Sequence, residues 1–311
     1  MEVQKRKLQE IAGSLLITIP KSWTRQYNLE KGNSVDVLLL DDGTLKIMPS
    51  FKEEHKEIKR AVIRHDRYVL RKFFREYLLG THVIEIILTK PLSKAEREKI
   101  TKFLKRLINV EIIEEGSKRI VIENLGTQKM PIRQAFSRMV FLTSSMFEDI
   151  LNYMDEPDVL KTMNERDEVV DKFYFMVVAN TRTFISKGYF ILPERELTLL
   201  ECLDYRLASE KVERVGDILK KMVPLLKKVK NKEVMKFGEL VFEKYKKAVK
   251  SFLKKDLDTA VSLIDDAKEI NAKAKRLKKK FERKKDVGAI EIVDYFLQIF
   301  EHGKDVGDLV R

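Results

Sequence analysis

The chain has one cysteine, Cys202, so no disulfide can close within it, and a reducing compartment suits it. No stretch approaches the 18 apolar residues of a membrane span. The opening MEVQKRKLQE has no apolar core of a secretory signal. The expected location is therefore cytoplasmic, without membrane insertion. The four histidines, His55, His65, His82 and His302, show no metal spacing such as H-E-x-x-H. They read as structural or exposed, and Cys202 reads as a small buried side chain. The sequence contains no G-x-S-x-G, no Walker A, no C-x-x-C and no Glu-x-x-His motif of carboxylate-bridged metal bundles. No catalytic residue is assigned, and the chain is not expected to be an enzyme.

What is abundant is charge. Asp, Glu, Lys and Arg make up 36% of 311 residues and leave a net +13. A Lys/Glu-rich surface of this kind is common in heat-adapted proteins, and a basic balance favours nucleic acid, anionic membranes or phosphate-bearing ligands.

Three regions follow one another. Residues 1–50 read as short strands: SLLITIP (14–20), then one or two helical turns in KSWTRQYN (21–28), then SVDVLLL (34–40) and TLKIM (44–48). The last two are joined by Asp41-Asp42-Gly43-Thr44, whose DG is a hairpin signal. Fifty residues of this type bury little alone, so a second copy is expected to complete them. Residues 51–128 predict a small α/β layer in the order β-α-β-α-β-β. Its strands are IKRAVIR (58–64), HVIEIIL (82–88) and the hairpin VEIIEEGSKRIVIENL (110–125) with Gly116 at the turn. Ser93-x-x-Glu96 is a capping box opening a helix through Leu107. GTQKMP (126–131) reads as a linker. From 131 to 311 the pattern predicts about six long helices. Breaks are expected at DEP (155–157), SKGYFILP (186–193), KNK (230–232), KKD (254–256) and KKD (284–286), and Pro131, Pro157 and Pro193 suit a first helical position. The fold class is thus multidomain α+β: a small β dimer domain, an α/β layer, and an all-α pair of three-helix bundles.

Within the helical half, VERVGDIL (212–219) recurs as GKDVGDLV (303–310). Glu213 and Asp217 share a helix face, as do Asp167 and Asp171 in NERDEVVDKFYF (164–175). Aligning DDAKEINAKAKRL (265–277) with the latter places Asn271 opposite Asp171. Each half is then three helices, with one acidic pair on the second and one on the third. Four carboxylates aimed at one point are costly unless compensated. A hard or borderline cation would compensate them, since carboxylate oxygens suit Mg, Mn, Fe or Zn. The plainer alternative is that Arg166, Arg206, Lys211 and Arg214 neutralise them as ion pairs. In the second half Lys304 stands where Glu213 stood, and only Asn271 and Asp308 remain of a degenerate second metal site.

These acid motifs resemble those of the PhoU family of phosphate-uptake regulators, over about residues 131–311. Asp167-x-x-x-Asp171 and the ERVGD of Glu213 to Asp217 carry the resemblance. It implies a metal-binding pair of three-helix bundles that controls phosphate transport, with Asn271 and Lys304 as departures. The stretch GSLLITIPKSWTRQYNLEKGNSVDVLLLDDGTLKIMP (13–49) is similar to the AbrB/SpoVT/MazE swapped-hairpin domain, through Gly13, Ile19-Pro20-Lys21, Leu29 and Gly32. That likeness implies an interlocked homodimer that binds DNA, with Lys5, Arg6, Lys7, Lys21 and Arg25 as candidate contacts. The joint arrangement resembles archaeal phosphate-uptake regulators. In residues 1–50 seven Lys/Arg face six Asp/Glu, so only a local basic patch, doubled by dimerisation, could hold DNA. Trp23 reads as an anchor of the small core.

Three functions compete at this stage. One is a DNA-binding regulator whose bundle senses phosphate status through metal or a transporter partner. The second is an adaptor that docks on a phosphate ABC transporter or sensor kinase without binding DNA. The third is a carboxylate-bridged metalloenzyme.

Overall fold

A computed structural model describes residues 5–39, 43–50, 58–125, 130–153, 157–186 and 196–310. Several expectations lie outside the described residues: Asp41-Asp42 of the hairpin turn, 126–129 of the linker, 155–156 and 187–193 of two breaks with Pro193, and His55. The chain divides into two compact units, residues 1–57 and 58–311.

The first unit begins with β1 (Gln9–Ile11) and β2 (Ser14–Leu16), an antiparallel pair with Ile11 opposite Ser14. The two residues between them, Ala12 and Gly13, have φ of 51° and 79°. A two-residue hairpin needs positive φ at both positions; Gly13 takes it freely, while Ala12 strains by about 1–2 kcal/mol. Helix α1 (Lys21–Gln26) starts at Pro20, whose φ of −60° suits a helix entry. Strands β3 (Val35–Leu39) and β4 (Leu45–Pro49) form the second hairpin, with Leu39 opposite Leu45. The strand expected over 14–20 is thus paired only to Leu16, and β1 was not signalled, because Ala-Gly is not among the usual hairpin dipeptides. None of the described residues in this unit is buried. Leu15 is 68% exposed and Leu39 76%. Trp23 is half-buried against Tyr27, ring centroids 5.4 Å apart.

The second unit opens with the α/β layer: β5 (Arg60–Arg64), α2 (Val69–Leu78), β6 (Val83–Ile87), α3 (Lys94–Leu104), β7 (Val110–Glu115) and β8 (Arg119–Asn124). The sheet order is β5-β6-β8-β7, with β5 parallel to β6 and the other pairs antiparallel. Alternation sends Ile84, Ile86, Ile120 and Ile122 into a core shared with Phe73, Tyr77, Ile100 and Leu104. Ser93 and Glu96 form the expected capping box. The helix they open stops at Leu104, three residues early, and the following turn carries Arg106.

The remainder is helical: α4 (Ile132–Asn152), a 3₁₀ segment (Pro157–Thr162), α5 (Met163–Ser186), α6 (Leu199–Leu226), α7 (Lys232–Lys254), α8 (Leu257–Arg283) and α9 (Val287–Gly307). The side chains of Thr198, Asn231, Asp256 and Asp286 cap α6, α7, α8 and α9. Pro131 stands one position before α4, as its cap, and Pro157 opens the 3₁₀ segment. The six helices form two successive threes. One apolar core joins them: Phe147 stacks on Phe296 at 5.7 Å, and the Tyr245 and Thr143 hydroxyls bond at 2.8 Å across the halves. The α/β layer docks on α5, where Phe74 meets Phe175 edge-on at 4.9 Å and Ala179 joins the layer's core.

Candidate functional site

Helices α5 and α6 bring the first set of acids together. Asp167 and Asp171, one turn apart on α5, are 3% and 4% exposed. Gly216 of α6 lies beneath Asp167; a Cβ there would stand 3.5 Å from its Oδ1. That is an ordinary van der Waals distance, so the glycine of VERVGDIL lies against the α5 carboxylate, between the flanking acids of α6, in a place an alanine would also fit. Glu213 and Asp217, one turn apart on α6, are half-buried.

Two cations already serve this cluster, and neither was anticipated. Lys220 of α6 is ion-paired with Asp167 and lies 3.3 Å from Asp217. Arg106, reaching from the α/β layer, is ion-paired with Asp171. Lys220 was in principle visible as an i+3 partner of Asp217. Arg106 lies 65 positions from Asp171, and nothing local announces their meeting. The four basic residues considered as neutralisers bind elsewhere. Arg166 pairs with Asp149, Arg206 and Arg214 with Glu210, and Lys211 with Asp305 at 2.7 Å. Arg206 also lies over the Tyr174 ring at 5.1 Å.

The electrostatics follow from this unequal sharing. Burial pushes the Asp167 carboxyl up by more than Lys220 draws it down. Burial disfavours the Lys220 ammonium, but its bonds to Asp167 and the charge of Asp217 outweigh that and hold it protonated. Arg106 is likewise held charged by Asp171 against its desolvation. Glu213 is pushed up to about 7, first by burial and then by Asp217 and Asp171, with only Arg214 opposing. Four carboxylates against two close cations leave a deficit of positive charge at Glu213. The donors therefore suit a hard cation in chemistry and charge. In the present arrangement the ammonium of Lys220 holds the space between Asp167 and Asp217, and among the described residues no three acids, histidines or cysteines converge as metal ligands.

The second repeat is built differently. Gly307 in α9 holds the place of Gly216 in α6, and the side chain against it is Leu263, whose Cδ1 would lie 2.6 Å from an added Cβ. Gly216 meets both Asp167 and Val170 of α5, whereas among the described residues the only atom within 4 Å of a Cβ on Gly307 is that apolar Cδ1 of Leu263. Asn271 stands eight positions farther along α8, roughly 12 Å at 1.5 Å per residue. It is exposed, and its amide donates to the Ala267 carbonyl at 2.9 Å. Asp308 is 57% exposed beyond the end of α9 and lies 3.7 Å from Lys304. Asn271 thus lies about two helical turns from the residue that packs on Gly307, while Asp308 directly follows that glycine. The inward acid of α8 is Asp266, held low despite burial by Lys244 and Lys247 at 2.7 and 2.8 Å.

In the first unit, Lys5, Arg6 and Lys7 precede β1, while Lys21 and Arg25 stand one turn apart on α1; all five are exposed. No helix among the described residues is long and apolar enough to cross a membrane.

Residues 11–54 match the family described as antidote-toxin recognition MazE, bacterial antitoxin, so the N-terminus carries a domain of that type. No curated protein matches the chain. Among solved structures, the crystal structure of PhoU from Pseudomonas aeruginosa is similar at 17% identity and a TM-score of 0.47, covering 58% of this chain and 93% of that one.

Proposed function

We propose that this protein is a DNA-binding regulator of phosphate uptake, with an N-terminal dimeric reader and a C-terminal metal-responsive helical sensor. The observation that carries the reading is the first unit itself. It is of the MazE type over residues 11–54, it leaves Ile11, Leu15, Leu16 and Leu39 exposed, and it presents five basic residues. Interlocking with a second copy buries those side chains and doubles the basic set to ten. Each phosphate so neutralised steepens the salt dependence by about 0.9 in log–log slope.

In this reading Asp167, Asp171, Glu213 and Asp217 hold a divalent or trivalent ion. Bound there, the ion supplies the positive charge that Glu213 lacks, in competition with Lys220 and Arg106. The α/β layer touches Asp171 through Arg106, so an ion bound at Asp171 would change the hold of the bundle on that layer. The link to phosphate rests on the resemblance of the acid motifs to the PhoU family.

The test is fluorescence anisotropy of the full chain at near-physiological salt. One duplex carries the region upstream of its own gene or of a neighbouring phosphate-transport gene; the other is scrambled. Tight binding to the first, lost in the double variant Lys21→Ala/Arg25→Ala, supports the reader. Equal weak binding to both probes by both proteins sinks it and favours an adaptor that docks on a transporter or kinase.

A further inference from the structure

At one end of the helical bundle two turns are strongly basic, that between α6 and α7 and that between α8 and α9. The connection from α4 to α5 shares this end, where the Tyr153 hydroxyl donates to the Val229 carbonyl, and its Asp158 is paired with Lys161. Residues 227–236 and 279–286 together hold ten Lys or Arg against three acids, and all ten basic side chains are exposed. These two stretches lie side by side. A Cβ on Gly288 would stand 2.6 Å from Val229, and Lys280 pairs with Glu233 at 2.6 Å. Glu233 is held low by its bond to Lys280, and Lys284 and Lys236 add to the pull. Lysines from the end of α8 and the start of α7 therefore surround a single carboxylate.

Helix dipoles account for part of this excess. Helices α6 and α8 end here, and bases are favoured at C-termini. Helix α7 begins here, however, with Lys232 as its first residue and Lys236 one turn on. There the dipole opposes them. Lysines gathered against both mutual repulsion and a helix N-terminus point to an anionic ligand outside the fold.

The apolar side chains of these turns indicate which anion. Val229, Val234, Met235 and Phe281 are all buried. Membrane-surface elements instead turn an apolar face outward into the lipid, and here Val287, 71% exposed, is a lone valine. Phe281 faces inward, so no described ring in these stretches can stack on an unpaired base. What is offered is a spread of flexible point charges on neighbouring helices about 8–10 Å apart, suited to the phosphates of a duplex and blind to its sequence. We infer that this pole is a second, sequence-independent contact for duplex DNA. It rests on the reader proposal only for the choice of partner. Tethered to a reader, even weak phosphate contacts act at high effective concentration.

The experiment uses the full chain and a duplex of random sequence, titrated between about 50 and 200 mM salt. Lys228, Lys230, Lys284 and Lys285 are changed together to Gln. The control changes Lys94, Lys99, Lys102 and Lys118 of the α/β layer to Gln, which removes the same net charge elsewhere. The expected result is a loss of about 10- to 100-fold in affinity and a salt slope shallower by about 3–4 for the pole variant, with little change in the control. Equal losses in both variants would overturn the inference, because net charge alone would then explain them. Unchanged DNA binding with lost co-sedimentation on phosphatidylglycerol-rich vesicles would also overturn it and assign the pole to a membrane. Should the upstream and scrambled duplexes bind alike while the pole variant still loses affinity, the reader reading fails and this one stands.

Discussion

Asp167 and Asp217 share one ammonium, that of Lys220, so any other cation must compete with a side chain already in place. Lys220→Gln removes the competitor and leaves the carboxylates. The expected outcome is at least a tenfold gain in Mn²⁺ affinity by calorimetry, about 1.4 kcal/mol, abolished by adding Asp171→Asn. An unchanged affinity would sink the metal reading. Glu213 makes a second case. Its carboxyl is raised to about 7 in the fold against about 4.3 in an unfolded chain. Between those values the folded state holds the extra proton, so this group's contribution to stability falls as pH rises toward 7. Solvent reaches the half-buried side chain and limits the effect to about 1 kcal/mol. Glu213→Gln should therefore raise Tm by roughly 2–4 °C at pH 8 and hardly at all at pH 5, as read by calorimetric scans at both values. The i, i+4 acids were legible from spacing because a helix converts spacing directly into a shared face. Arg106 was not, since only the docking of the α/β layer onto α5 brings it to Asp171.

At the level of elements, short-range chemistry was the readable part. The capping box of Ser93 and Glu96, the six long helices and the hairpin around Gly116 all follow from neighbours in sequence. The second repeat was less legible: Asn271 resembles an acid in chemistry, but Gly307 packs on Leu263, about two turns away on α8, and only the packed helices show that contact. A similar contact joins α7 to α9. A Cβ on Gly238 would stand 2.4 Å from the Phe296 ring, which is fully buried against Phe147 and Phe237. The ring cannot retreat without disturbing that stack. Gly238→Ala removes a helix-weakening glycine, worth up to about 1 kcal/mol, yet overpacking costs about 1–3 kcal/mol. A net loss is expected, seen as a lower urea midpoint with an unchanged m-value. A stabilised variant would show that α7 and α9 separate easily.

For the whole molecule, the two units differ in what they can do alone. Residues 58–311 carry their own cores, whereas none of the described residues of the first unit is buried. The chain is therefore expected to run as a dimer in light scattering, and Leu15→Glu/Leu39→Glu to shift it toward monomer while the helical signal in circular dichroism persists. A monomeric parent chain would contradict the interlocked reader. Docking of the α/β layer on α5 has one more consequence. Helices α5 and α8 occupy matching places, the second of each repeat, but α5 is covered from outside by Phe74 and Arg106, whereas α8 carries a largely exposed outer face. Each molecule thus contains a protected helix and its uncovered twin. In deuterium uptake the twin serves as an internal clock: temperature, pH and global opening act on both, and only release of the layer speeds one relative to the other. The ratio of the two rates would report undocking within a single sample, without a reference protein.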